Sequence, residues 1–203
     1  MLNDQEKFWA GEFGNDYNVR NNVSPRMQAA NEALLGRATA RATAVRSVLE
    51  LGANVGSNMP ALAKLLPDAT LSAVEINAAA AGRLRAIPGL QVYEQSLLSY
   101  SGPAADLVLI KGVLCHIHPD NLQSAYEIAF RSSKRYICIA DYYNRTPIEV
   151  NYRGHSGKLF KRDFAGEMMD AHPLQLVDYG FVYRRDPLAL DEFNWFLLER
   201  KVF

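Results

Sequence analysis

The chain alternates short apolar runs with segments of helical period. Val48–Leu51, Leu71–Ile76, Leu90–Glu94, Asp106–Gly112 and Arg135–Asp141 are each short, rich in Val, Ile and Leu, and closed by a polar residue or glycine. Near-continuous apolar runs of this length predict parallel strands buried on both faces. Between them the spacing predicts helices from about Ser57 to Leu66, from Asn77 to Ala86, and from Pro119 to about Ser132. Ser24 as N-cap and Pro25 at the first helical position start an earlier helix, whose apolar face of Met27, Ala30, Leu34 and Ala38 carries through about Arg41. Asp163 caps another through Ala171. The tail, Leu174–Tyr183 and Phe193–Glu199, reads as two long strands with a short connection, an antiparallel hairpin. At the start, a short helix near Asp4–Ala10 gives way to a glycine-hinged loop bearing Trp9, Phe13 and Tyr17, too many aromatics for a solvated tail. Residues 145–162 fit neither period and read as a glycine-containing loop. Strand–helix alternation of this kind predicts an α/β, Rossmann-like sandwich, with a mostly parallel seven-stranded sheet and an antiparallel C-terminal hairpin.

The densest signal is Ser47-Val-Leu-Glu-Leu-Gly-Ala-Asn-Val-Gly-Ser-Asn58: a buried strand, a glycine turn, and a helix start. Gly52 and Gly56 allow a sharp turn and close approach of a ligand to the backbone. The first amides of the following helix lack intrahelical partners and face the end of the strand. The next strand ends at Glu75 and Ile76. A carboxylate at that position accepts hydrogen bonds from a ribose diol. Turn and acid together point to a nucleoside-containing ligand. The turn lacks the G-x-G-x-x-G spacing that cradles a pyrophosphate, which disfavours a nicotinamide-dependent oxidoreductase. Lys111, Gly112 and Val113, with the histidines that follow, come at the same edge of the sheet, where ligands of open α/β sheets bind.

Composition narrows the class. The chain has 203 residues, 49% of them hydrophobic, and 22 Lys plus Arg against 22 Asp plus Glu. A balanced charge argues against a general nucleic-acid or anionic-membrane binder. There is neither an apolar run of membrane-spanning length nor a leader pattern at the start, so the expectation is a cytoplasmic protein. Cys115 and Cys138 read as small buried groups in a reducing compartment. His116 and His118 supply too few ligands for zinc, and no metal is expected. The chain divides into an N-terminal cap and helix, 1–44, and a ligand-binding domain, 45–203. The expected partner is a small-molecule substrate, and the expected state is a monomer or homodimer.

The Glu50-Leu-Gly52 turn with Gly56 and the distant Glu75 resembles the first two motifs of class I S-adenosylmethionine-dependent methyltransferases, with Asn54 standing where the middle glycine usually falls. Further blocks resemble methylases associated with pseudaminic acid biosynthesis: Phe8-Trp-Ala-Gly-Glu-Phe-Gly14 with Arg20-Asn21, Lys111-Gly-Val-Leu114 with His116, Tyr152-Arg-Gly-His155, and Leu159-Phe-Lys-Arg-Asp-Phe-Ala-Gly-Glu167. The resemblance implies S-adenosyl-L-methionine as cofactor and a class I methyltransferase fold. It assigns cofactor contacts to Glu50, Gly52, Asn54, Gly56, Asn58, Glu75, Ile76 and the 111–113 turn. The N-terminal segment then closes over the cofactor, with Trp9 or Tyr17 against the sulfonium and Arg20 on the methionine carboxylate. Many relatives place an acid for the adenine amine where this chain has Gln95-Ser-Leu-Leu98, leaving Ser96 for the hydrogen bond and Leu97 for the ring.

Acceptor chemistry falls to His116, as general base or contact, since a neutral imidazole suits proton removal near pH 7. On an extended segment His116 and His118 would point to opposite sides, so one of them faces the site. Tyr142, in a hydrogen-bond chain, is the second candidate base. Tyr143, Arg153, His155 and Lys161 would bind the acceptor, and the local basic density predicts an anionic one. Two other functions share this pattern: a non-catalytic module that senses the cofactor or its product, and an enzyme that rearranges S-adenosylmethionine without an external acceptor.

Overall fold

The computed structural model describes residues 2–21 and 23–201. Two short helices, α1 (Asp4–Ala10) and α2 (Glu12–Arg20), precede α3 (Pro25–Ala38). The body then runs β1 (Ser47–Leu51), α4 (Met59–Leu65), β2 (Thr70–Glu75), α5 (Ala78–Leu84), β3 (Gln91–Glu94), β4 (Ala105–Lys111), α6 (Pro119–Arg131) and β5 (Ser133–Asp141). The chain finishes with β6 (Ile148–Tyr152), β7 (His155–Lys161), α7 (Phe164–Ala171), β8 (Leu174–Phe181) and β9 (Asn194–Arg200).

The main sheet has seven strands in the order β3-β2-β1-β4-β5-β9-β8. The first five of these are parallel, and β9 and β8 are antiparallel, as the apolar runs predict. Alternation along the central strands feeds two cores. Val48, Leu107, Leu109 and Leu197 pack with α3 and α4 on one face. Leu49, Val108, Ile110 and Ile137 pack with α6 and α7 on the other. Cys138 lies in the first core and Cys115 in the second, both as free thiols. Register sets the functional edge: Leu51 lies beside Val74, and Lys111 beside Ala140. The turns after β1, β2, β4 and β5 therefore open at one rim of the sheet.

Three local expectations need correction. The glycine-hinged loop after Ala10 is a helix. Gly11 breaks the chain between α1 and α2, and a Cβ at Gly14 would stand 1.8 Å from the Trp9 carbonyl oxygen. The bare glycine thus lets α2 lie against α1. Residues 145–162 are largely an antiparallel hairpin, β6–β7, forming a second, two-stranded sheet. Its turn residues Arg153 and Gly154 both have positive φ, 52° and 87°, as a two-residue hairpin turn requires. The charged, half-exposed strands hid the period. The histidine segment is also not extended: Leu114–His116 is a 3-10 turn, and His118 caps α6 by accepting from the Asp120 amide at 3.3 Å. Among the described residues no helix is long and apolar enough to cross a membrane, and no group of three His, Cys, Asp or Glu is placed to hold a metal.

Candidate functional site

Strand β1 ends in a turn made by positive backbone angles: φ is 80° at Gly52, 49° at Asn54 and 82° at Gly56. A Cβ at Gly52 would sit 2.7 Å from a Val113 methyl, so the two turns meet only because position 52 has no side chain. Asparagine tolerates the left-handed region better than most residues. Asn54 also gains two contacts there. Its amide donates to Glu75 Oε2 at 2.7 Å, and its side chain donates to Asn18 Oδ1 of α2 at 2.5 Å.

Glu75 is buried at the end of β2. Its other oxygen accepts from the Asn77 amide at 2.7 Å. Burial raises its pKa above the ordinary carboxylate value, and the amides of Asn77, Asn54 and Ile76 oppose that rise. Each oxygen keeps a second lone pair for a ligand hydroxyl. Asn77 caps α5 through Ala80 and donates to the Trp9 carbonyl at 3.2 Å and to Asn15 Oδ1 at 2.9 Å. It also accepts from Asn18 at 2.8 Å. A web of side-chain amides thus ties the cap helices to the ends of β1 and β2.

Strand β5 supplies the support for the next turn. Asp141 Oδ2 accepts from the amides of Val113 and Cys115 at 3.1 and 3.3 Å, and Oδ1 from Tyr142 at 2.9 Å. This holds the 112–116 segment, on which His116 rides. The His116 ring lies 4.6 Å from Trp9 and 4.9 Å from Tyr152, centroid to centroid. Its Nδ1 meets the Lys158 carbonyl at 2.7 Å. A carbonyl only accepts, so Nδ1 carries the proton and Nε2 is left with a lone pair. Burial holds the imidazole below its ordinary pKa, hence neutral at pH 7. Gln5 of α1, itself buried, donates to the carbonyls of both His116 and Gly157 at 3.0 and 2.9 Å.

These parts enclose about 840 Å³ of empty space, part of it open to solvent. Of the residues expected from sequence, Trp9, Tyr17, Gly52, Asn54, Glu75, Ile76, Ser96, Leu97, Gly112, Val113 and His116 line it. The rest lie elsewhere. Arg20 is exposed, its guanidinium 5.4 Å from the Phe13 ring centroid. Gly56 abuts Ile87 and Leu84. Tyr142 donates its hydroxyl to Asp191, and Lys161 lies 4.8 Å over the Tyr142 ring. Tyr143 lies near Phe196, and Arg153 over Tyr152 at the exposed hairpin turn. His155 packs on Phe8 and Phe13 of the cap. Residues that sequence reasoning missed include Asn3, Gln5, Glu6, Asn18, Asn77 and Asn121. The signal for one of them was present: Asn18 shares one face of α2 with Asn15 at a spacing of three.

Glu50, Asn58 and Lys111 sit behind the turn, outside the lining. Glu50 accepts from Asn58 at 2.5 Å, and its other oxygen is buried without a partner. Burial pushes its pKa up to about 7, with Asn58 and Lys111 opposing. Lys111 is itself pushed down by burial. A carboxyl whose folded pKa lies above its unfolded value binds its proton more tightly when folded. Stability is then lost as pH rises from about 4.5 to about 7, the ordinary and shifted values. The loss over that window reaches about 3 kcal/mol at ~1.36 kcal/mol per unit. Glu50→Gln is expected to flatten the fall in unfolding free energy between pH 5 and 8; an unchanged slope by denaturant titration would reject it.

No protein-family model matches the chain, and no curated protein sequence does. Solved structures do. The chain superposes with a TM-score of 0.71 and 17% identity on the 1,6-didemethyltoxoflavin-N1-methyltransferase of Burkholderia thailandensis, covering 97% of this chain and 87% of that one. It superposes on the magnesium protoporphyrin IX methyltransferase of Synechocystis with a TM-score of 0.71, 13% identity and 99% of both chains. An amino pentose methyltransferase from Micromonospora echinaspora gives 0.67, 11% identity, and 93% and 96% coverage. The fold is the Rossmann-like methyltransferase fold. The two cap helices and the β6–β7 hairpin meet over the 114–116 turn through Gln5 and Trp9.

Proposed function

We propose that the protein is an S-adenosylmethionine-dependent methyltransferase acting on a small molecule. The observation that carries this is Glu75: a buried carboxylate held by two backbone amides at the rim of a capped cavity, directly beside the glycine turn. The solved relatives of this fold include proteins crystallised with S-adenosylmethionine or S-adenosylhomocysteine. Those relatives act on, or are named for, toxoflavin and porphyrin precursors and an amino pentose, which favours a small acceptor here. The narrower likeness to pseudaminic acid-associated methylases is part of the proposal and rests on the cap and hairpin blocks.

The lining fits the cofactor. Glu75 takes the ribose hydroxyls. Ile76 and Leu97 offer apolar surface for the adenine, and Ser96, whose oxygen accepts from the Leu98 amide at 3.0 Å, has its hydroxyl proton free to donate. The bare Gly52 leaves backbone exposed to the methionine moiety. Trp9 and Tyr17 present aromatic rings for a sulfonium. When bound, S-adenosylmethionine supplies an electrophilic methyl group for in-line displacement. The protein's part is to align the acceptor and exclude water, which the cap does by closing the rim. An anionic acceptor would depend on Arg153, His155 and Lys161, none of which lines the cavity. Calorimetric titration with S-adenosylhomocysteine tests the proposal: saturable binding at one site per chain is expected, and no heat at saturating concentration would overturn it.

A further inference from the structure

We infer that the methyl acceptor is an amine, which presents as an ammonium at the cavity mouth and gives up a proton to His116 Nε2. This rests on the methyltransferase reading above and deepens it. Among the described residues, the cavity lining carries two carboxylates, Glu6 and Glu75, and no lysine or arginine. Glu75 belongs to the ribose end. Glu6 lies on α1, where one oxygen accepts from the Asn3 amide at 2.7 Å. An anion at this mouth would meet a carboxylate and no fixed cation. An ammonium meets Glu6 and the aromatic faces of Trp9 and Tyr17.

The base sharpens the choice. The Lys158 carbonyl fixes the Nδ1–H tautomer, so the free lone pair is on Nε2 of a residue that lines the cavity. Burial makes this imidazole a weak base. An alkylammonium such as lysine titrates at about 10.4, whereas an alcohol-like hydroxyl lies far above it. Moving a proton to such an imidazole is therefore uphill from an ammonium by more than the roughly four units that separate an alkylammonium from an ordinary imidazole, and far more steeply uphill from an alcohol-like hydroxyl. Only the first is within easy reach. In the step, the ammonium N–H bond breaks, its electron pair stays on nitrogen and the proton goes to Nε2. The freed pair forms the bond to the methyl carbon, and the carbon–sulfur pair leaves on sulfur. Titratable groups packed around the 114–116 turn are Asp141 from β5, Tyr17 from α2, Tyr152 from β6, Cys115 beside it, and Lys158, whose ammonium is turned onto Gln5 at 2.6 Å.

The experiment has three arms on the full chain. Calorimetry with S-adenosylhomocysteine on wild type and His116→Gln reports the cofactor reading separately: no binding in wild type sinks that reading and this inference with it, whereas binding leaves the arms below to test the acceptor alone. Nitrogen NMR of histidine-labelled protein should show His116 neutral, with the proton on Nδ1, at pH 7. An imidazolium or the Nε2–H tautomer would overturn the inference. Methyl-labelled S-adenosylmethionine is then incubated with the protein and a small-molecule extract of the cells that encode it. Label should appear in a product held by a cation exchanger at acid pH and released at alkaline pH. Label in a neutral or anionic product, or none at all in protein that binds S-adenosylhomocysteine, would overturn it. Glu6→Gln keeps the capping geometry and removes the charge. It should lower incorporation about tenfold at limiting extract and little at saturation; an unchanged extract dependence counts against the amine. His116→Gln should lose about 10²-fold or more at pH 7, as general-base removal does. It should recover toward wild type near pH 10, where the amine is already free, and a pH-independent deficit would refute proton transfer to this ring.

Discussion

Glu75→Ala is expected to abolish S-adenosylhomocysteine binding within the range of calorimetry. Hydrogen bonds to a charged group contribute about 1.5–3 kcal/mol each, so losing both ribose contacts costs about 3–6 kcal/mol, a factor of roughly 10² to 10⁴ in affinity. The same carboxylate places the Asn54 and Asn77 amides, so denaturant unfolding must accompany the titration. Affinity unchanged in a folded variant would remove the ribose assignment. Acidity should act in the same direction. In the proposed site the ribose hydroxyls would donate to the ionised form, and burial has already raised the Glu75 pKa. Affinity in the wild type should therefore fall as pH drops, beginning above the ordinary glutamate value of about 4.3.

Asn77→Ala is the second large effect. This one side chain caps α5, bonds the Trp9 carbonyl and Asn15, and receives Asn18. An N-cap removed costs about 0.5–2 kcal/mol, and each further hydrogen bond about 0.5–1.5 kcal/mol. The variant should unfold with about 2–6.5 kcal/mol less free energy by these figures. Amide exchange should accelerate in α1 and α2 while β1 and β4 stay protected. Uniform acceleration across the sheet, or none in the cap, would contradict the latch.

Buried strands were legible because burial on both faces leaves a continuous apolar run; Val48–Leu51 and Asp106–Lys111 are read from such runs alone, and their polar ends mark the rim. Glu75 was legible because it ends one of them. The hairpin at 148–161 was not, since neither face enters a main core and its turn uses Arg153 at positive φ in place of the usual Asn or Asp. Basic residues there suggested an anion site, but side-chain direction depends on which sheet the segment joins. Tyr142 follows Asp141 by one position and so turns away from the cavity toward Asp191. Asn18 and Gln5 carry their importance only through distant partners, Asn54 and Gly157, that no local pattern reveals.

The cap is fastened mainly by carboxamides, Asn18, Asn54, Asn77 and Gln5, joined by the Lys158 ammonium on Gln5 and the Arg83 guanidinium on the Asn18 carbonyl. Neutral dipoles are barely screened by dissolved ions. Opening and closing should therefore proceed at nearly the same rate in dilute buffer and in molar sodium chloride. Urea, itself a carboxamide mimic, competes for the same donors and acceptors, and should loosen this clasp at concentrations well short of those that melt the sheet.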